Sequence, residues 1–333
     1  MRRSIHPQAP LWTLALLAPA VGELLGMSTS PVSFFNPRYL ILLIVLYGGG
    51  AILCREAMVR TGSGWRGLLL LGLGYGVLEE AIASMSWFNP NWPDLQELIG
   101  YGWVFGVNSM WALHSTIYHA TISIAVPVLI VELLYPTHRG NSLLNETALR
   151  LWLSGVTAVI VIICADTIRV TGFTPAPWHF LLALVLSAGF ILLGLNPMVE
   201  PVTLPTKSPT PLWSGLFFLV GFITSTVLHL IVRLAPLAHW APWAAAGLYV
   251  LICWGATALL IHMTWHGHHW TNRAKMALAT GVLSFFVLVD MFIERTSRTD
   301  DPMGKALVAT AFGVGLLAVY VLIRTREKER IGS

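Results

Sequence analysis

An all-α, polytopic transmembrane helix bundle of about ten spans is the fold class that this chain of 333 residues predicts, and three observations predict it. Only 11% of the residues are charged, against the roughly 25% of an ordinary soluble domain. Hydrophobic residues make up 56%, and the mean hydropathy is +0.70. The apolar residues also gather into runs of about 17 to 25 residues, the length one helix needs to cross a bilayer.

In order, the expected spans are 11–26, 39–59, 67–87, 109–134, 149–168, 178–195, 212–234, 243–265, 274–293 and 306–324. The first follows Met1-Arg2-Arg3 and resembles a signal sequence; Glu23 within it, and the many further spans, favour an uncleaved first helix. Between the sixth and seventh runs lie Pro197, Pro201, Pro205, Pro209 and Pro211, a density that forbids a helix. The chain therefore divides into a six-helix part (1–195), a Pro-rich linker (196–211) and a four-helix part (212–333). Gly48-Gly49-Gly50 and Gly72-x-Gly74-x-Gly76 lack the Lys and Ser/Thr of a phosphate loop and predict close helix packing.

Orientation follows from the basic residues. With the N-terminus in the cytoplasm, fourteen of the twenty Lys and Arg fall on the cytoplasmic side, so both termini are expected there. The expectation is a multi-pass protein of the cell membrane whose surroundings are the lipid bilayer. The net charge of +4 comes from basic residues scattered singly between apolar runs, which excludes a nucleic-acid surface. Cys54, Cys164 and Cys253 all lie in apolar runs and form neither a disulfide framework nor a metal motif.

Ionisable residues inside such runs are costly and are retained for function. Glu79 and Glu80 stand in the third span, His114 and His119 in the fourth. Glu79 and Glu80 are about 100° apart on a helix, so only one is expected to point at a given axis. The topology puts Glu80 roughly 10 Å below the outer end, His119 about 15 Å and His114 about 7 Å from the same surface. Glu23, Asp166, His179, His229 and Asp290 fall in the same outer half, which suggests a polar site opening outward. Carboxylates at that depth can act as general base toward water, carry a coupled proton or help hold a metal. The candidate catalytic residues are Glu79, Glu80 and His119; the candidate metal ligands are His114, His119 and His229, with a divalent metal such as zinc as the candidate cofactor. Asp166 and Arg169 have the i, i+3 spacing of a self-contained ion pair; His229 with Arg233, and the two acidic residues Asp290 with Glu294, stand at i, i+4. The histidine-rich turn from His262 to His269 is flanked by Trp265 and Trp270 and is expected at the opposite, cytoplasmic side. Trp87, Trp92, Trp103 and Trp240 are expected at the outer interface.

The Glu-Glu pair followed by His in the next span resembles the CAAX-type and bacteriocin-processing intramembrane endopeptidases, whose motifs are Glu-Glu-x-x-x-Arg, Phe-x-x-x-His and His-x-x-x-Asn. Position 84 is Ser where that family has Arg, neither His114 nor His119 follows a Phe at four residues, and His268 to Asn272 lies on the other side. The resemblance implies that Glu80 or Glu79 activates water and that His119 binds or polarises it. Three function classes remain open: an intramembrane hydrolase, a proton-coupled transporter or permease, and a non-catalytic membrane assembly subunit.

Overall fold

The computed structural model describes residues 8–26, 29–197, 213–265, 270–292 and 301–331. Every one of the ten apolar runs forms a helix. Among the described residues, eight helices are long and apolar enough to cross a membrane: α3 (Pro37–Thr61), α5 (Ser109–Leu134), α6 (Glu146–Thr171), α7 (Pro177–Gly194), α8 (Ser214–Leu237), α9 (Pro242–Trp265), α10 (Asn272–Phe292) and α11 (Pro302–Ile331). The other two are α1 (Ala9–Leu24), which is shorter, and α4, which runs over Gly64–Val77 and continues as a π-helix over Leu78–Ala83. Helix α4 carries Arg66, Glu79 and Glu80, more charge than a plain spanning helix tolerates. A single turn, α2 (Pro31–Phe34), precedes α3. The protein is an all-α, multi-pass membrane protein.

The chain forms two compact units, Met1–Met198 and Val199–Ser333. Most of the Pro-rich stretch expected as a linker, and the histidines at 266, 268 and 269, lie outside the described residues.

In the first unit, helix ends are set by local chemistry. Gly62 closes α3 and Gly172 closes α6 at φ of 67° and 66°, left-handed conformations that glycine adopts without a Cβ clash. Asn108 and Asn145 cap α5 and α6 with side-chain oxygens that accept from Trp111 N and Ala148 N. Between α4 and α5 the chain makes a short 3₁₀ turn (Pro93–Leu98) and a hairpin pairing β1 (Trp103–Val104) with β2 (Val107–Asn108). This cap is stitched to α5 by Asn108 Nδ2, which donates to Leu98 O and Tyr101 O.

Helix α4 is the centre of the unit. A methyl group on Gly72 would come 2.8 Å from Cα of Ala120, and one on Gly76 2.9 Å from Cβ of His119, so α5 packs against bare backbone. Gly74 faces the opposite way, where Ser187 Oγ of α7 donates to its carbonyl at 2.9 Å. The glycine stripe thus performs the close packing expected of it, and one of its contacts is with the histidine of the candidate site. Most of α6 and α7 is left uncovered by protein, as a lipid-facing surface requires.

In the second unit, α8 and α10 cross closely at Gly221 and Gly281. Phe217, Met263, Ala274 and Ala277 form its apolar core. Asp290 meets Lys305 at 3.7 Å, both fully buried, so the partner described for Asp290 is a lysine of the following helix; Glu294 lies outside the described residues.

Candidate functional site

Four helices of the first unit widen into π turns, and each π turn carries a polar residue of one site. The segments are Ala20–Leu24 in α1, Ile44–Gly48 in α3, Leu78–Ala83 in α4 and His119–Ala125 in α5. They hold Glu23, Tyr47, Glu79 with Glu80, and His119. A π turn shifts to i→i+5 hydrogen bonding, re-aims the side chains around it and is frequently found at functional positions.

The consequence is clearest in α4. Regular helical spacing allows one glutamate to face α5, yet both do. His119 Nε2 lies 3.0 Å from Oε2 of Glu79 and 3.0 Å from Oε1 of Glu80. The Glu80 contact has hydrogen-bond alignment, while Glu79 Oε2 is a close ionic contact with no aligned donor. His119 is 2% exposed and the two glutamates are about 12–13% exposed in their side chains, so the site is nearly dry but reachable from the carboxylate side. Glu80 is further held by the hydroxyl of Ser86, which receives a hydrogen bond from Trp111 Nε1 at 2.9 Å. Trp87, expected at the membrane interface, is instead buried, with its Nε1 donating to Ser115 Oγ at 3.1 Å. The chain after α4 turns back over the site, and that turn draws the tryptophan inward.

Around His119 stand three tyrosine rings: Tyr47 at 5.7 Å, Tyr75 at 5.9 Å and Tyr118 at 5.7 Å between centroids. Tyr118 donates to Gly22 O of α1 at 2.7 Å. Tyr47 donates to Glu23 Oε1 at 2.5 Å, and Thr29 donates to Glu23 Oε2 at 2.5 Å. A third carboxylate therefore sits beside the Glu79–His119–Glu80 cluster. No Lys or Arg pairs with any of the three among the described residues, and the hydroxyls of Tyr75 and Ser123 and Nδ1 of His119 are buried without a hydrogen-bond partner.

Among the described residues, one group of His, Cys, Asp or Glu brings three or more ligand atoms within 4.8 Å of one another: Glu79, Glu80 and His119. This two-carboxylate, one-imidazole donor set could take a divalent cation. Of the three histidines named as candidate ligands, His119 belongs to the group. His114 is buried five residues earlier, between the rings of Trp111 and Tyr118 at 6.1 and 6.3 Å. His229 lies in the second unit against Phe285 and Phe286, with Nδ1 2.7 Å from the carbonyl of Ser225 one turn back on its own helix. His179 stacks on Phe88 at 4.6 Å, with Nε2 3.0 Å from Phe105 O. Asp166 and Arg169 form the i, i+3 pair at 2.6 Å, exposed on α6.

Sequence reasoning placed Glu23 in the outer half but passed over its partners. Tyr47 and Tyr75 read as ordinary aromatic residues of apolar helices; the signal that could have found them is the placement of each beside a small-residue run, Gly48-Gly49-Gly50 and Gly74-x-Gly76, where a neighbouring helix comes close.

A second polar cluster occupies the other end of α3 and α5. Arg55 is buried and binds Glu132 (2.7 Å), Glu56 (3.1 Å), and the carbonyls of Asn141 and His138. Glu56 accepts from Leu143 N at 2.7 Å and from Ser142 Oγ at 2.5 Å, and Arg60 joins it to Glu146.

A family model described as an uncharacterized membrane protein family matches residues 13–327. The chain belongs to that family. The match takes in α1 from residue 13 onward, Glu23 included, and every other helix that lines the site. An uncharacterized protein of Archaeoglobus fulgidus is 29% identical over 140 residues, which is 41% of this chain and 42% of that protein. The aligned stretch thus covers less than half of either protein. No solved structure matches the chain.

Proposed function

We propose that the protein is an intramembrane hydrolase whose acid–base group is Glu79, Glu80 and His119, acting on a bond of a membrane-embedded substrate. The observation that carries this reading is the placement of two carboxylate oxygens at 3.0 Å from one imidazole nitrogen inside an apolar bundle. Such an arrangement can take a proton from water on a carboxylate and return one from the imidazole to a leaving group, each within hydrogen-bond reach. A structural carboxylate at this depth would carry an Arg or Lys partner, as Glu56 and Glu132 do. With both termini cytoplasmic, Glu79 and Glu80 near the end of α4 face the outer side of the cell membrane. The Glu-Glu and His pairing shared with the CAAX-type endopeptidases supports a peptide bond as the first substrate class to try.

The test is hydrolysis of quenched-fluorescent membrane peptides by the full chain in liposomes. Glu80→Gln and His119→Ala are expected to lower the rate by about 10²- to 10⁴-fold, the contribution of a positioned acid–base group. Undiminished turnover in Glu80→Gln, or pH-driven solute uptake in place of hydrolysis, would overturn the proposal. Loss of activity on chelation, restored by added zinc, would assign the same donor set to a cation.

A further inference from the structure

We infer that Glu23 and Tyr47 form a proton relay that connects Tyr39, an exposed residue, to the Glu79–His119–Glu80 site. The inference deepens the acid–base reading above and rests on it for the use of the proton. Its path is drawn by contacts between α1, its following loop and α3. Tyr39 is 39% exposed, and its hydroxyl lies 3.4 Å from Thr29 Oγ1. Thr29 Oγ1 donates to one oxygen of Glu23 and Tyr47 to the other, each at 2.5 Å. Thr29, Glu23 and Tyr47 are all buried. The sequence of exposed tyrosine, buried threonine, buried glutamate and buried tyrosine thus runs from the surface inward.

The inner end of the relay meets His119. The rings of Tyr47, Tyr75 and His119 are mutually 5.7 to 6.4 Å apart between centroids. A methyl group on Gly22 would lie 2.9 Å from both the Tyr47 ring and Ser123 Oγ, which places that hydroxyl beside the phenol. Tyr75 Oη, Ser123 Oγ and His119 Nδ1, all on residues of this neighbourhood, are buried without a hydrogen-bond partner. Three polar partners are enough to hold one bridging water. The groups facing the relay are Tyr118 and His119 from α5, and Tyr75, Glu79 and Glu80 from α4; no Lys or Arg pairs with Thr29, Glu23 or Tyr47 among the described residues.

Proton transfer along this path balances without any co-reactant. A proton taken up at Tyr39 displaces its hydroxyl proton to Thr29, and the Thr29 proton passes to Glu23 Oε2. As the Tyr47 hydroxyl turns inward, rotation of the protonated carboxyl presents that proton to Tyr47 Oη, and the Tyr47 proton passes through one bridging water to His119 Nδ1, which releases its Nε2 proton to Glu80 Oε1. Reorientation of the hydroxyls resets the chain, and reversal of each step exports a proton released by hydrolysis. A carboxylate kept only to tie α1 to α3 would need one hydroxyl; a partner on each oxygen, one facing the surface and one facing the site, is what transfer requires.

The readout is solvent exchange of the His119 ring proton, followed by NMR on the full chain labelled with ¹⁵N-histidine in lipid nanodiscs and assigned by its loss in His119→Ala. Glu23→Gln and Tyr47→Phe keep the shape of the site and are expected to slow exchange by at least about 100-fold, the low end of acid–base contributions. Glu23→Asp is expected to restore most of the rate. Unchanged exchange in folded Glu23→Gln would overturn the relay. Should that variant fail to fold, Tyr39→Phe and Thr29→Val decide, since unchanged exchange in both would also overturn it. No substrate enters the measurement, so absent hydrolysis with relay-dependent exchange defeats only the hydrolase reading, and normal exchange in Glu23→Gln with intact hydrolysis defeats only the relay.

Discussion

The two ends of α3 and α5 hold two buried acidic clusters of opposite design. At one end, Arg55 satisfies Glu56 and Glu132, and backbone carbonyls and amides take up what remains. At the other, Glu23, Glu79 and Glu80 share hydroxyls and a single imidazole, with no Lys or Arg partner among the described residues. The first arrangement closes every hydrogen bond and fastens the loop that joins α5 to α6. The second leaves polar atoms without hydrogen-bond partners and its carboxyl groups without a Lys or Arg partner among the described residues, a state that a purely structural cluster has no reason to keep. Burial of carboxylates alone does not identify a functional site; the nature of their partners does.

That contrast can be broken at several points. The largest effect on stability is expected from Arg55→Met, which strands two buried carboxylates and should cost about 3–5 kcal/mol, read as a large fall in the melting temperature in detergent. Gly76→Val pushes α5 off α4 against Cβ of His119; overpacking of this kind costs about 1–3 kcal/mol and should reduce hydrolysis as well. Glu79→Gln keeps the shape of the side chain and removes one of the two carboxyl groups beside His119. Its melting temperature should therefore stay within the spread of about 1 kcal/mol that a neutral exchange produces, while activity collapses. A drop as deep as that of Arg55→Met would make the two clusters alike and remove the basis of the proposal. The smallest effect belongs to Asp166→Asn: its ion pair is exposed on α6, and such pairs are worth at most about 1 kcal/mol, so neither melting nor hydrolysis should move appreciably.

The helices were legible because a bilayer imposes length and apolarity together, and eight of the ten runs carry both among the described residues. Glu79, Glu80 and His119 stood out for the complementary reason, that ionisable groups are rare at such depth. Asp166 with Arg169 was readable from spacing alone. The rest depended on geometry that spacing does not encode. Arg55 and Arg60 were counted as orientation signals, because a basic residue at a helix end looks the same whether it faces lipid headgroups or a glutamate 77 residues away, as Arg55 does Glu132. His229 invited assignment as a ligand, yet a histidine within a helix can rest on the carbonyl one turn back, here Ser225 O. The convergence of both glutamates on one nitrogen could not be foreseen from a regular 100° step, since it occurs in a π turn.

Those π turns bear on how the bundle tolerates change in chain length. Each one breaks the phase of its helix, so that residues before it and after it obey different angular registers. A π turn takes up one residue more than a regular helix over the same rise, so removing a single residue between 78 and 83 would let α4 run on as a regular helix with the chain on either side still in place. Glu79 and Glu80 would return to the 100° step, and only one of them would face His119. Length variation at the four π turns would therefore retune the site without repacking the rest of the unit, whereas a deletion earlier in α4 would rotate the glycine stripe against its neighbours by about 100°.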